Sequence, residues 1–157
     1  MLLITRNAEK RALAETLGAT ATIDPSGGNV VQRVTSNTGA LPGGADVVFE
    51  CAGIKETVEQ APFLARRGGT AVILGVLPSG EKTMIEPFDL LFREVALLAS
   101  FINPFTHGRA AQLIASGTIK VDPLISRNVG LEEAAHLISN PAANGEIRTL
   151  VVPDSLA

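Results

Sequence analysis

The sequence predicts an α/β fold built around a parallel sheet. Short apolar runs alternate with helical patterns along most of the 157 residues. The runs at residues 45–51 and 70–76 are largely apolar throughout, which is typical of strands buried on both faces. A helical pattern separates these two runs, so we expect parallel strands with helices covering both faces of the sheet.

The chain opens with a strand and a helix. Residues 1–5 are an apolar run, and residues 6–19 follow as a helix that ends in a glycine cap. Residues 21–25 read as a strand stopped by proline, and residues 29–38 as a short helix with three valines on one side. The dinucleotide-binding turn Gly-x-Gly-x-x-Gly occurs nowhere in the sequence.

The middle of the chain repeats this alternation. A Pro-Gly-Gly turn leads into the strand at residues 45–51, and the helix at residues 55–67 follows. Two arginines and two glycines at residues 66–69 predict the helix end, because cations stabilise a helix C-terminus and glycine adopts the left-handed cap. The next buried strand is expected at residues 70–76.

The rhythm changes in the last part of the chain. Helices are predicted at residues 87–93, 106–116 and 131–139, strands at 95–101 and 149–153, and an extended segment at 121–125. Because the alternation gives way near Ile102, we predict one domain over residues 1–101 and a second segment over residues 102–157.

Composition excludes several classes of function. A net charge of -3 gives no electrostatic reason to expect nucleic acid or an anionic membrane as a partner. One cysteine excludes an internal disulfide, and six Phe without Trp or Tyr disfavour base stacking. No signal peptide or apolar run of transmembrane length is visible, so the cytoplasm is the expected location.

Several short stretches, in this order, resemble the C-terminal portion of the medium-chain dehydrogenase/reductases, the zinc-type alcohol dehydrogenase superfamily. The stretches are residues 10–11, 17–20, 44–53, 68–69, 72–75, 123–125 and 145–148. Within that superfamily, residues 101–106 and 115–117 most resemble the sorbitol or polyol dehydrogenase branch.

The resemblance implies an incomplete Rossmann-type, doubly wound parallel sheet. Its strand order would be 3-2-1-4-5-6, with the central first strand and its Gly-rich turn lacking here, so two half-sheets with exposed edges are expected. Residues 1–101 would belong to the dinucleotide-binding domain, and residues 102–157 to the C-terminal returning segment of the catalytic domain.

For the whole protein, the resemblance implies an NAD(P)-dependent dehydrogenase of a small alcohol or polyol. We expect zinc in the parent enzyme only, a homo-oligomer, and an inactive chain when these residues stand alone. Two alternatives stay open: a non-catalytic truncated or interaction module, and a zinc-free quinone reductase of the same superfamily.

Three residues near the start indicate the choice of cofactor. In the family an acid at the end of the second strand binds the adenosine ribose and selects NAD. Thr5 stands there, followed by Arg6, whose guanidinium suits a 2'-phosphate, so NADP is expected, with NAD possible. Lys10 matches a lysine that reaches the ribose. The alternative is that Arg6 and Lys10 are solvated residues at a helix start.

The resemblance assigns further contacts to the ends of later strands. Cys51 and Ala52 would allow close approach of the adenosine, and Cys51 is expected to be a small buried packing residue rather than a nucleophile. Gly75 and Val76 would meet the nicotinamide carboxamide through their main chain, as would the stretch ending at Phe101.

The last assignment concerns Arg148 and the metal. By resemblance Arg148 contacts the cofactor pyrophosphate, the alternative being a structural ion pair. Cys51, His107 and His136 lie on separate elements without ligand spacing, so neither a zinc site nor a catalytic residue is assigned to this chain.

Overall fold

The computed structural model describes residues 1–139 and 146–153, and in them the α/β fold is confirmed. The strands are β1 (Leu2–Ile4), β2 (Ala21–Ile23), β3 (Ala45–Glu50), β4 (Ala65–Ile73), β5 (Ala96–Ala99), β6 (Ile125–Val129) and β7 (Arg148–Val151). The helices are α1 (Ala8–Thr16), α2 (Val30–Thr35), α3 (Lys55–Leu64), α4 (Pro87–Arg93), α5 (His107–Ala115) and α6 (Leu131–Ser139). Gly145, which contributes to the family resemblance, lies outside the described residues.

The chain divides into two compact units. Unit 1 comprises Met1–Asp24 with Phe105–Ala157, and unit 2 comprises Pro25–Pro104. This division follows compactness, whereas the domain boundary near residue 101 rests on the change in the sequence pattern and on the family resemblance, and it stays a prediction.

All strand pairs in the described residues are parallel, and they form three sheets. The sheets are β1-β2 and β6-β7 in unit 1, and β3-β4-β5 in unit 2. The expectation of two separate half-sheets is therefore confirmed, since β1 does not pair with β3. In both half-sheets the strands are joined by helices, as parallel pairing requires.

In unit 1, α1 packs against the β1-β2 sheet. The Asn7 side chain accepts the N–H of Lys10 at 2.8 Å and so caps the helix N-terminus. Gly18 follows the helix with φ +100°, a left-handed conformation in agreement with the predicted glycine cap. Ala19, which follows Gly18, and Ile23 of β2 are buried.

In unit 2, α3 covers one face of the three-stranded sheet. Val58 and Ala61 of α3 are buried, as is Ala71 of β4. The opposite face differs from the expectation of two covered faces, because Val47 and Phe49 are 48% and 64% exposed. No described residue buries their side chains.

The predicted end of the helix before β4 is wrong. The helix ends at Leu64 rather than at residue 67, and Ala65 already belongs to β4. Pro62 lies in the last turn, and its carbonyl oxygen accepts the N–H of Ala65. The guanidinium of Arg93 binds two carbonyl groups at this helix end. Arg93 Nη2 donates to the carbonyl oxygen of Pro62 and Nη1 to that of Ala65, both at 2.8 Å.

The segment predicted as extended at residues 121–125 also differs. Asp122–Leu124 form a single 3-10 turn with proline near its start, and strand β6 begins only at Ile125. The last strand was predicted to start at Thr149, but β7 starts one residue earlier, at Arg148. No helix in the described ranges is long and apolar enough to cross a membrane.

The contacts of Arg93 with the end of α3 should contribute to the stability of the chain. Arg93 also pairs with Asp89 at 2.6 Å, and its side chain is only 18% exposed. Because charged hydrogen bonds to carbonyl groups are lost, Arg93→Met should lower the free energy of unfolding by about 2 kcal/mol. Urea denaturation followed by circular dichroism measures this change.

Arg66→Met is the matched control. The Arg66 side chain donates to Asp46, but it is 50% exposed and its partner 81%, so the urea midpoint should hardly move. Equal midpoints for Arg93→Met and wild type would contradict the role given to Arg93.

Candidate functional site

In unit 1, the candidate residues Thr5 and Arg6 form the turn between β1 and α1. The N–H of Thr5 donates to the carbonyl oxygen of Ile23 at 3.1 Å, which continues the β1-β2 pairing to the end of the strand. The Thr5 hydroxyl accepts the N–H of Asn7 at 3.4 Å. The turn is therefore anchored to the sheet on one side and to the helix cap on the other.

Arg11, which received no role from the sequence, fixes the same turn. Its Nη1 donates to the carbonyl oxygens of Thr5 at 2.6 Å and Arg6 at 2.8 Å. Its Nη2 lies 3.1 Å from Asp24 Oδ2, just beyond β2. The available signal was a cation in the first turn of the helix after β1, with an acid directly after β2.

The side chain of Arg6 is exposed on this fixed turn. Its main-chain carbonyl is held by Arg11, but its guanidinium has no hydrogen-bond or ion-pair partner in residues 1–139 and 146–153. The neighbouring Thr5 carries no charge. An exposed guanidinium on a fixed backbone, with no acceptor among the described residues, can pair with a phosphate through two parallel hydrogen bonds.

A cleft of about 430 Å³ in unit 1 brings Lys10 and Arg148 together. Both are exposed residues on its wall. The rest of the lining is apolar: Leu3, Leu13, Ala14, Leu17, Leu124 and Ile147. Neither cation has a hydrogen bond or ion pair through its side chain among the described residues, so both are available to an anion. The pairing of Arg148 that the alternative requires is not found within these ranges.

In unit 2, the candidate residues lie at the carboxyl ends of three neighbouring strands. Cys51 and Ala52 follow β3, Gly75 and Val76 follow β4 after one residue, and Phe101 follows β5. The strands are parallel and in register, with Phe49 beside Val72 and Val72 beside Leu98, so all five residues belong to one edge of the sheet. This edge is where open α/β sheets bind their ligands.

The turns after β3 and β4 approach each other through their main chains. A Cβ added to Gly53 would lie 2.7 Å from the carbonyl oxygen of Val76, and one added to Gly75 would collide with the nitrogen of Gly53. Gly53 has φ +66°, in the left-handed region. The Val76 side chain is 77% exposed. The two turns therefore pack main chain against main chain, with no room for a Cβ at Gly53 or Gly75.

Glu50, the last residue of β3, is a second residue that the sequence did not single out. It is 4% exposed, and its Oε1 accepts hydrogen bonds from the N–H groups of Ala52 and Gly53 at 2.8 and 2.9 Å. The hydroxyl of Thr57 donates to the same oxygen at 2.7 Å. An acid that ends an apolar strand just before a glycine was the available signal.

Cys51 is exposed, so the expectation of a buried packing residue is wrong. Cys51 comes directly after β3, and the buried side chain at the end of that strand is Glu50. Partial desolvation and, to a smaller extent, the adjacent Glu50 carboxylate raise the pKa of the Cys51 thiol. Thiolate is therefore scarce at neutral pH, which favours an unreactive thiol over a nucleophile.

Zinc does not fit the residues described here. Within residues 1–139 and 146–153 no three His, Cys, Asp or Glu side chains are grouped so that they could hold a metal ion. His107 begins α5 and His136 lies on α6, while Cys51 belongs to unit 2. These three residues therefore do not form a metal site with one another in the part of the chain that the structure describes.

The Cys51 environment predicts a pH dependence of alkylation. The rate with iodoacetamide should rise with a midpoint above that of an ordinary cysteine thiol, because both causes disfavour the thiolate. Replacing Glu50→Gln removes the anion and should move the midpoint downward. A wild-type midpoint at or below that of free cysteine would contradict this assignment.

The contact between the turns predicts that Gly75 tolerates no side chain. A Cβ at Gly75 would lie 2.5 Å from Glu50 Oε2 besides meeting the Gly53 main chain, so Gly75→Ala should destabilise the chain by about 2 kcal/mol or more. Gly108→Ala is the control, since no atom lies within 4 Å of its added Cβ in α5. That variant should gain up to about 1 kcal/mol from helix propensity. Equal thermal midpoints for the two variants would rule out the close contact.

Comparisons with known proteins identify the family. The profile of the family described as zinc-binding dehydrogenase matches residues 2–116. A Sinorhizobium meliloti 1021 protein that carries the description zinc-binding dehydrogenase, solved with NADP bound, is 60% identical with a TM-score of 0.93. The match covers 97% of this chain and 44% of that one.

Two curated relatives are named as polyol enzymes. A Rhizobium meliloti (strain 1021) protein described as a D-xylulose reductase is 38% identical over 112 residues, which are 68% of this chain and 31% of the relative. Sorbitol dehydrogenase of Gallus gallus is 29% identical over 131 residues, 82% of this chain and 36% of the relative. The chain thus spans well under half the length of these relatives. It belongs to the zinc-binding dehydrogenase family of the medium-chain dehydrogenase/reductase superfamily, whose Rossmann-type C-terminal portion it matches.

Proposed function

We propose that this chain is the NADP-binding part of an alcohol or polyol dehydrogenase. The observation that carries the proposal is the Arg6 guanidinium, which stands without a protein partner in the described region on a turn fixed by Arg11 and Asn7. Thr5 before it brings no negative charge to repel a 2'-phosphate. The NADP bound to the 60% identical relative supports this choice.

The proposed contacts are assigned within each unit by itself. In unit 1, Arg6 pairs with the 2'-phosphate, while Lys10 and Arg148 offer cations to ribose and pyrophosphate oxygens. In unit 2, Cys51 and Ala52 allow the adenosine side to approach, and the main chain of Gly75 and Val76 and the stretch ending at Phe101 meet the carboxamide. The bound nicotinamide supplies the hydride chemistry.

The reaction of the whole protein is also part of the proposal. We infer a small alcohol or polyol as substrate, which the names of the D-xylulose reductase and sorbitol dehydrogenase relatives support. Zinc would belong to the parent enzyme, and the chain alone would show no turnover. Residues 1–101 would serve cofactor binding and residues 102–157 the catalytic domain. A cytoplasmic homo-oligomer without nucleic acid or membrane partners completes this proposal.

The test exchanges the residues at the proposed 2'-phosphate contact. Changing Thr5→Asp with Arg6→Ile removes the guanidinium and adds a like charge, which should cost NADP about 2 to 4 kcal/mol, or roughly thirty- to a thousand-fold in affinity. NAD binding should change far less. Isothermal titration of the purified chain with each cofactor gives the ratio of dissociation constants, at fixed ionic strength because salt screens phosphate contacts.

Arg109→Asp is the matched control. It changes the net charge by the same amount on an exposed face of α5 and should leave the ratio unchanged. An unchanged ratio in the Thr5/Arg6 variant would show Arg6 to be a solvated helix-start residue. Absence of any cofactor binding to the wild-type chain would overturn the proposal as a whole.

A further inference from the structure

Glu50 is the charged residue that the described part of the chain buries, and burial of a carboxylate carries a large desolvation cost. Such a cost is tolerated where hydrogen bonds repay it. Its neighbours in space explain what the residue does: every group that it binds belongs to the two turns at the edge of the sheet in unit 2 or to the helix that follows one of them.

The side chain organises the turn after β3. One carboxylate oxygen, Oε1, accepts from the N–H groups of Ala52 and Gly53 and from the Thr57 hydroxyl, all within 2.9 Å. Ile54, the N-cap of α3, makes no side-chain cap. Glu50 accepts no backbone N–H of α3, but through the Thr57 hydroxyl it joins the strand end and the turn to the first turn of the helix.

The main chain of the same residue organises the turn after β4. The carbonyl oxygen of Glu50 accepts from the N–H groups of Leu74 and Gly75 at 2.9 and 3.0 Å. The second carboxylate oxygen, Oε2, is buried against Gly75 with no hydrogen-bond partner in the described residues. One residue thus sets both turns relative to each other.

We propose that Glu50 is a positioning residue for cofactor binding, because it sets the main-chain groups of the turns at Ala52 and at Gly75–Val76. This inference rests on the proposed function. Contacts made through main-chain groups cannot be strengthened by the side chains of the same residues, so their geometry depends on what holds the backbone. Glu50 holds it at both turns.

The position of Glu50 dictates a distinctive effect on affinity. The proposed function assigns the 2'-phosphate to Arg6 and not to these turns, so loss of Glu50 should weaken NADP and NAD by the same factor and leave their ratio unchanged. The Thr5/Arg6 exchange does the opposite. A residue that only stabilised the fold would lower the unfolding midpoint without changing the affinity of the folded chain.

The experiment compares Glu50→Gln and Glu50→Leu in the purified chain. The amide keeps an acceptor oxygen but loses the charge, and leucine keeps volume without an acceptor. We expect both cofactors to bind about threefold weaker to the glutamine variant and about thirtyfold weaker to the leucine variant, in line with the strength of charge-assisted hydrogen bonds. Titration calorimetry at a temperature where each variant is folded gives the constants.

An amide spectrum of the ¹⁵N-labelled chain provides a second readout. In Glu50→Gln the amide resonances of Ala52 and Gly53 should shift, because both groups donate to Oε1. Thr57→Val removes one donor without altering the carboxylate, and it should weaken both cofactors about twofold. It decides the question if the leucine variant does not fold. Glu56→Gln, an exposed residue of α3, is the control that should match wild type.

The outcomes separate the two proposals. If the wild-type chain binds cofactor and the folded Glu50→Gln and Thr57→Val variants bind it with the same affinity, the role of Glu50 alone is overturned. A changed NADP-to-NAD ratio in these variants would overturn it as well. A wild-type chain that binds neither cofactor would overturn the proposed function, and with it this inference.

Discussion

Close approach between two main chains is the constraint on which the edge of the unit 2 sheet depends. The turns after β3 and β4 touch at Gly53, Gly75 and Val76, with no room for a Cβ at either glycine. Val76, beside this contact, is exposed. Peptide groups of such turns can recognise a ligand only if the backbone is held in a fixed position. The buried carboxylate of Glu50 holds it by accepting the N–H groups of Ala52 and Gly53.

Unit 1 solves the same problem with the opposite charge. Its candidate turn is held by the guanidinium of Arg11, which binds the carbonyl oxygens of Thr5 and Arg6 and a carboxylate after β2. Glu50 collects N–H groups in unit 2, whereas Arg11 collects carbonyl groups in unit 1. In both places a largely buried charge, paired by main-chain groups, holds a turn at a strand end while exposed groups remain available to a ligand.

The sequence predicted the regular strands and helices well, but it did not predict the effects of side-chain contacts on helix ends and turns. The strands near residues 45–51 and 70–76 and the helix at residues 131–139 follow from periodicity, and the helix matches the structure residue for residue. The end of α3 does not follow from it, because Arg93 binds carbonyl groups from a distant part of the chain. Glu50 and Arg11 were missed for a different reason. The turn groups that they bind are near in sequence, but hydrophobic periodicity identifies apolar faces and does not show which polar side chain binds a neighbouring turn.

The two-pronged contact of Arg11 also bears on how this position can vary among related sequences. Its Nη1 reaches two successive carbonyl oxygens while Nη2 faces Asp24, a geometry set by the planar guanidinium. A lysine would preserve the charge but offers a single nitrogen on a flexible stem, which cannot span these acceptors in the same arrangement. Substitution tables treat arginine and lysine as near equivalents, but at residue 11 the exchange would alter the shape of the turn that displays Arg6.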